Sequence, residues 1–258
     1  MNTRTICFTN NKGGSGKSTA CANLAYELSA AGKKVLMVDG DMQLNLFLSF
    51  FEEDDVLAMA ESKKNLYYAI KGKDDLTDYI VNTEYDNLDL IPSSTLMSQI
   101  EYELFTMMQR ELVLRKCLKK IKDSGRYDYI LIDAPPTLGT WVINILCASD
   151  DVIVPVEASP WGLFGLANMF EFIASLEDMT DAKVLGVLIT KVDERKNYYR
   201  QTMEVLDSYD SINVFKSVIH VDSMIEWAQD ASKPVAAFKK NTRSALEFRE
   251  LEKELMRL

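Results

Sequence analysis

The chain has 258 residues, 47% of them hydrophobic, enough to bury one large core. Its 29 basic residues face 39 acidic ones, and the formal charge of −10 excludes a protein that coats DNA through its overall charge. No apolar run approaches the ~18 residues that span a bilayer, and only Met1–Arg4 precede the first predicted strand, which argues against a signal peptide and predicts a soluble, cytoplasmic protein.

Short β-branched apolar runs alternate with helical patterns from end to end. The first predicted strand, Thr5–Thr9, enters the glycine-rich run Asn10–Thr19. Ala20, Leu24, Leu28 and Ala31 then recur at helical spacing, and Gly32 marks the stop. A second strand is predicted over Val35–Asp39. The polar stretch Glu52–Asp75 reads as a mobile surface segment. Leu88–Ile91 is the next strand, and the periodicity predicts one long helix over Ser94–Lys122. Strands follow at Tyr129–Asp133, Val152–Val156, Val184–Thr190 and Val214–Ile219, and a helix over Thr242–Leu258 closes the chain. Several of these strands are apolar on both faces, as sheets covered by helices on two sides require. The pattern predicts an α/β fold: a doubly wound, mostly parallel sheet with helices on both faces, in a single domain over 1–258. Cys7, Cys21, Cys117 and Cys147 form no C-x-x-C pair and read as buried thiols in a reducing compartment.

The run Lys12-Gly13-Gly14-Ser15-Gly16-Lys17-Ser18-Thr19 lies between a strand and a helix. Glycines there let backbone N–H groups close around phosphate oxygens, and the helix N-terminus adds a favourable dipole. Lys17 is placed to reach β- and γ-phosphates, and the Ser18 hydroxyl to ligate Mg²⁺. Asn11 stands where the G-x-x-x-x-G-K-[ST] pattern has its first glycine, and a second lysine, Lys12, precedes the double glycine. In this the loop resembles the deviant Walker A motif of the ParA/MinD family of P-loop ATPases. The resemblance implies a cytoplasmic ATPase that dimerises around bound ATP, Lys12 reaching across to the partner's nucleotide.

Two carboxylate-bearing strand ends accompany the loop. Asp39-Gly40-Asp41-Met42-Gln43-Leu44-Asn45 is similar to the family's D-x-D-P-Q-G-N switch, with Met42 for its proline and Leu44 for its glycine. By that resemblance Asp41 orients the attacking water and Asp39 supports the magnesium shell. The apolar strand ending Ile132-Asp133-Ala134-Pro135-Pro136 is a Walker B arrangement, with Asp133 on Mg²⁺. Thr190-Lys191-Val192-Asp193 resembles the T-K-x-D element with which some GTPases grip guanine; family context favours ATP, with GTP left open.

The resemblance covers nearly the whole chain and is strongest to small ParA/Soj-type partition proteins. It implies ATP and Mg²⁺ as cofactors, a homodimer in the ATP state and a ParB-like or adaptor partner. Where those proteins read I-P-R-N-x-R, this chain reads Ile219-His220-Val221-Asp222-Ser223-Met224, so both arginines are missing. The remaining candidate basic patch for nonspecific DNA is Lys239, Lys240 and Arg243, with Arg195, Lys196 and Arg200 elsewhere. The alternative is a MinD-like or regulatory positioning switch that binds no DNA. The terminal helix carries glutamates among Leu251, Leu255 and Leu258, unlike a basic membrane-targeting helix, so no membrane contact is expected. His220, the single histidine, reads as structural or as an edge of the nucleotide site.

Overall fold

Seven strands pair into one sheet in the order β3-β4-β2-β5-β1-β6-β7. They are β1 (Arg4–Phe8), β2 (Val35–Asp39), β3 (Val81–Asn82), β4 (Leu88–Ile91), β5 (Tyr129–Asp133), β6 (Asp151–Glu157) and β7 (Lys183–Thr190). The structure is a computed structural model that describes residues 3–207 and 212–258, the side chains of residues 160, 161, 163 and 164 excepted. All pairings are parallel except that of the short edge strand β3 with β4. Parallel neighbours need crossovers, and helices supply them: α1 (Lys17–Ala30), α2 (Asn45–Leu48), α3 (Glu53–Glu61), α4 (Leu66–Gly72), α5 (Ile100–Phe105) and α6 (Val113–Ser124) in the first half. The second half adds α7 (Thr140–Ala148), α8 (Pro160–Ala174), α9 (Tyr198–Leu206), α10 (Ser223–Asp230), α11 (Val235–Phe238) and α12 (Arg243–Leu255).

Strand side chains alternate between two cores. Ile6, Phe8, Met37 and Leu131 face one way, against Leu24 and Leu28 of α1 and Phe248 and Leu251 of α12. Cys7, Val38 and Ile132 face the other, against Leu114 and Leu118 of α6 and Val142 and Ile145 of α7. Double coverage explains why the central strands carry no polar face. The doubly wound expectation therefore holds, with the C-terminal ends of β1, β2, β5, β6 and β7 forming one crevice edge. All four cysteines are free and buried, and burial pushes the Cys7 thiol up to about 12 and Cys117 to about 11.

Three expectations need correction. The helix predicted over Ser94–Lys122 is broken into a 3₁₀ turn at Thr95–Gln99, α5, a second 3₁₀ turn at Arg110–Leu112, and α6. Gln109 adopts a left-handed backbone (φ 52), and Asn144 of α7 supplies the lost pairing, donating to the Arg110 carbonyl and accepting from the Leu114 N–H. The segment Glu52–Asp75 carries α3 and α4, anchored by fully buried Asn65, which caps α4 and donates to the Ala60 and Ser62 carbonyls. The strand predicted over Val214–Ile219 forms only isolated bridges at Val214 and His220. Glu254 of α12 takes the N–H groups of Lys216 and Ser217, drawing the middle of the run out of a ladder.

At the C-terminus, Thr242 caps α12 by accepting from Ala245 N–H, and Leu251 and Leu255 pack into the core as expected, while Leu258 is exposed. Among the described residues no helix is long and apolar enough to cross a membrane.

Candidate functional site

The loop between β1 and α1 is shaped by glycine. Gly14 (φ 72) and Gly16 (φ 87) take left-handed backbone, which side-chain-bearing residues adopt at a cost. Gly16 caps α1 with no side-chain hydrogen bond, so the first-turn N–H groups of α1, which have no intrahelical partners, face the loop's concavity. Thr190 at the end of β7 donates from Oγ1 to the Ser15 carbonyl at 2.8 Å, and Asn10 is clasped to β6 through the Pro155 carbonyl at 2.7 Å. The loop is thus fixed from two strands, and Gly13, with open space where a Cβ would sit, is its exposed tip.

Beside it lies a cavity of about 520 Å³, within the range of small-molecule sites. Gly13 to Ala20, Asp41, Gln43 and Asn45 line one side. Thr190, Lys191, and Ile219 to Asp222 line the other. Lys17 lies within the charge field of Asp133 and Asp41; burial pushes its ammonium pKa down against both carboxylates. Its Nζ donates to the Lys12 carbonyl at 3.2 Å.

Asp133 is fully buried, and neither carboxylate oxygen has a hydrogen-bond partner among the described residues. Burial pushes its carboxyl up to about 7, against the lowering effect of Ser18 and Lys17. The buried Ser15 hydroxyl oxygen is likewise unpartnered. An orphaned carboxylate costs several kcal/mol unless a cation or proton compensates it, so Asp133 with the Ser18 hydroxyl is a donor set that fits a hard divalent cation.

Asp41 lines the cavity, its Oδ1 accepting from Gln43 N–H at 3.1 Å, and burial raises its pKa. Asp39 is placed differently from a metal ligand. Its Oδ1 accepts from Asp41 N–H (3.1 Å) and its Oδ2 from Phe47 N–H (3.0 Å), and it does not line the cavity. It organises the turn on which Asp41 sits; burial and the charge of Asp133 push its carboxyl well above the ordinary range. Leu44, where the resembled motif has glycine, keeps a glycine-like backbone at φ 60.

Lys12 points away from the cavity. Its Nζ pairs with Glu157 Oε2 at 2.6 Å and Ser159 Oγ at 3.1 Å, at the end of β6. Asp193 also stays out of the cavity: Arg195 grips both its oxygens at 2.8 Å and holds the carboxyl down to about 2. A carboxylate so engaged has no free edge for guanine. Lys191, with its own left-handed backbone (φ 52), brings Nζ to 3.8 Å from where a Gly14 Cβ would be, against the phosphate loop.

Apart from His220, sequence reasoning missed this part of the far wall. Ile219 to Asp222, Ile225 and Gln229 line the cavity, and Gln229 Nε2 donates to Thr19 Oγ1 at 3.2 Å. The signal available was position: the segment follows a strand end on the crevice side. His220 does edge this cavity, its Nδ1 2.6 Å from Glu247 Oε1 and its Nε2 3.4 Å from Glu194 Oε1. Arg243 bridges the same two glutamates at 2.7 and 2.9 Å. The candidate basic patch is therefore reduced to Lys239 and Lys240, exposed and in no ion pair among the described residues.

Residues 3–186 match a family described as an AAA domain. Over 252 residues the chain is 34% identical to the sporulation initiation inhibitor protein Soj of Bacillus subtilis, covering 97% of each chain. It is 30% identical to the chromosome-partitioning ATPase Soj of Treponema pallidum, covering 98% of this chain and 97% of that one. A solved structure, cobyrinic acid a,c-diamide synthase of Mycobacterium smegmatis with bound ADP and magnesium, superposes with a TM-score of 0.83 at 26% identity, over 99% and 94% of the two chains.

Proposed function

The chain belongs to the ParA/MinD-type family of P-loop ATPases, and from that premise we propose that it is an ATP-dependent dimerising switch for DNA partition. The observation that carries this reading is Lys12, a second lysine on a preformed phosphate loop beside a nucleotide-sized cavity. A lysine that serves a partner's nucleotide has no role in a metabolic P-loop enzyme working within one site, and on this ground Lys12 favours the switch over such an enzyme.

Backbone N–H groups of Gly13–Thr19 and the Lys17 ammonium would bind the phosphates of ATP, with Thr190 and Lys191 bracing the loop. Ser18 and Asp133 would hold Mg²⁺. The ion would supply neutralising charge on the β- and γ-phosphate oxygens. Asp41 would orient water for attack on the γ-phosphorus, and its raised pKa makes it the better proton acceptor. The new P–O bond forms as the bond to the β,γ-bridging oxygen breaks, leaving ADP and phosphate. Lys12 would stabilise the transferred charge in the partner's site, for which it must first leave Glu157.

ATP would favour the dimer because it binds that state better, and hydrolysis, stimulated by a ParB-like or adaptor protein in the cytoplasm, would dissolve it. Light scattering with ADP and with ATP tests this, beside Lys12→Ala and Asp41→Ala. The expected result is an ATP-dependent dimer abolished by Lys12→Ala and prolonged by Asp41→Ala; a mass indifferent to nucleotide refutes it.

A second reading, a positioning switch without DNA, is favoured by one region. Val221, in the place of a family arginine, is 60% exposed, and Arg243 is held by Glu194 and Glu247, so that of the candidate patch only Lys239 and Lys240 stay free of ion pairs among the described residues. Retention of DNA at low salt with a nonhydrolysable ATP analogue supports partition; its loss in Lys239→Ala/Lys240→Ala would identify the patch.

A further inference from the structure

The carbonyl of Gly40 immediately precedes Asp41, and the indole of Trp141 takes it, Nε1 donating at 2.9 Å. At the other end of the same peptide unit, the Asp41 N–H donates to Asp39 Oδ1 at 3.1 Å. Both polar ends of the peptide that carries Asp41 are therefore bonded, which fixes its plane and the direction in which the Asp41 side chain leaves the chain. Gly40 N–H in turn donates to the Asp133 carbonyl at 3.0 Å, joining the turn to the end of β5. The fit is close: a Cβ on Gly40 would come to 2.7 Å from the Asp133 carbonyl oxygen and 3.4 Å from the indole nitrogen.

Trp141 is itself anchored. It is 2% exposed, in the first turn of α7, directly after the segment that follows Asp133. Glu101 of α5 accepts from Thr140 N–H at 3.1 Å and from Trp141 N–H at 3.0 Å, a carboxylate at a helix N-terminus. Gly139 makes room for it, since a Cβ there would lie 2.2 Å from Glu101 Oε1.

We propose that Trp141 is a positioning residue for ATP hydrolysis: its indole N–H sets the orientation of Asp41 by tethering the Gly40–Asp41 peptide to α7. The inference rests on the reading of Asp41 as the acid that orients water. The turn lacks the proline and glycine of the resembled motif, having Met42 and Leu44 instead. Trp141 supplies a restraint from outside the turn, from the helix that follows the segment after Asp133. Packing alone needs only the bulk of an aromatic ring; the directed hydrogen bond to one carbonyl is what makes the position specific.

Trp141→Phe keeps a ring and deletes the donor, leaving a buried carbonyl unpaired. The comparison set is Asp41→Ala and Ile145→Val, because Ile145 packs against Gly40 without bonding to the turn. Trp141→Phe is expected to lower kcat for ATP about tenfold or more with KM kept within about twofold, as misplacement of a reacting group does. Ile145→Val is expected to melt earlier yet keep kcat within about twofold. In the ¹⁵N spectrum of the wild-type protein, the indole N–H signal that vanishes in Trp141→Phe should be protected from solvent exchange, a readout independent of turnover. Wild-type kcat in Trp141→Phe, or an unprotected indole signal, beside an inactive Asp41→Ala, overturns the proposal and leaves the reading of Asp41 standing. Wild-type turnover by Asp41→Ala removes that reading first, and the proposal with it.

Discussion

Replacing Leu44 by alanine and by glycine separates two opposing contributions at the acidic turn. Leu44 is 5% exposed and packs in the core beneath α1, so truncation to alanine forfeits about 2–5 kcal/mol of transfer and cavity energy. Its backbone sits at φ 60, where any residue with a Cβ is strained by about 1–2 kcal/mol relative to glycine. Glycine elsewhere costs about 0.5–1 kcal/mol more than alanine through the entropy of the unfolded chain. Subtracting, Leu44→Gly should be more stable than Leu44→Ala by up to about 1.5 kcal/mol, the reverse of the usual order, while both remain below the wild type. Urea unfolding followed by circular dichroism, at constant slope, measures the difference. Alanine more stable than glycine at this position would refute the argument that the turn holds a glycine-like conformation against the preference of its residue.

Glu157→Gln should release Lys12, lowering the ATP concentration at which dimers form by about fivefold, the effect of a partly exposed ion pair worth about 1 kcal/mol; sedimentation against ATP concentration measures it. Asp222 caps α10 through Met224 N–H and holds Ser244 by two bonds, so Asp222→Ala should cost about 1–3 kcal/mol in thermal or urea unfolding. Burial pushes the Asp222 carboxyl up, but those bonds and Arg243 outweigh it and hold it below its ordinary value. Its contribution is therefore present above about pH 4 and is lost as pH falls through the lower folded value, so wild type and variant should converge in acid. Asp133→Asn works the other way. A carboxyl raised from 3.8 to about 7 makes the folded protein lose stability as pH rises across that interval. The variant should gain up to about 4 kcal/mol over wild type at pH 8 in nucleotide-free, chelator-treated protein, from roughly 1.4 kcal/mol per pH unit, while losing magnesium-dependent nucleotide binding. Equal stability of the two at pH 8 would refute it.

Local order was legible wherever sequence and backbone share a period. β2, β4 and β5 fall where the apolar runs placed them, and the phosphate loop was readable because glycine, lysine and serine are each required there by the shape of the turn. What the pattern did not carry depended on partners, near or distant in sequence, that only the folded chain brings into contact. The pattern over 94–122 is helical in composition, yet Asn144 offers the backbone at 110 and 114 better partners than a continuing helix. Asp39 carries the family signature, but its oxygens are taken by Asp41 and Phe47 N–H groups, which only the folded turn brings together. The same holds for Asp193, gripped by Arg195, and for Trp141, which a sequence reading assigns to the core of α7 and whose one polar atom finds Gly40 from 101 residues away.

The four buried thiols give the molecule its own set of clocks. Cys7 lies in β1, Cys21 on the helix behind the phosphate loop, Cys117 on α6 and Cys147 on α7, all buried in the folded state. Burial raises the pKa of each thiol, so alkylation at neutral pH waits for local opening and thiolate formation together. Labelling followed by peptide mass mapping would time each element separately in one sample. Nucleotide that grips the loop should slow the clock at Cys21 more than the one at Cys117, so the protein reports, residue by residue, how far ligand tension spreads through the sheet.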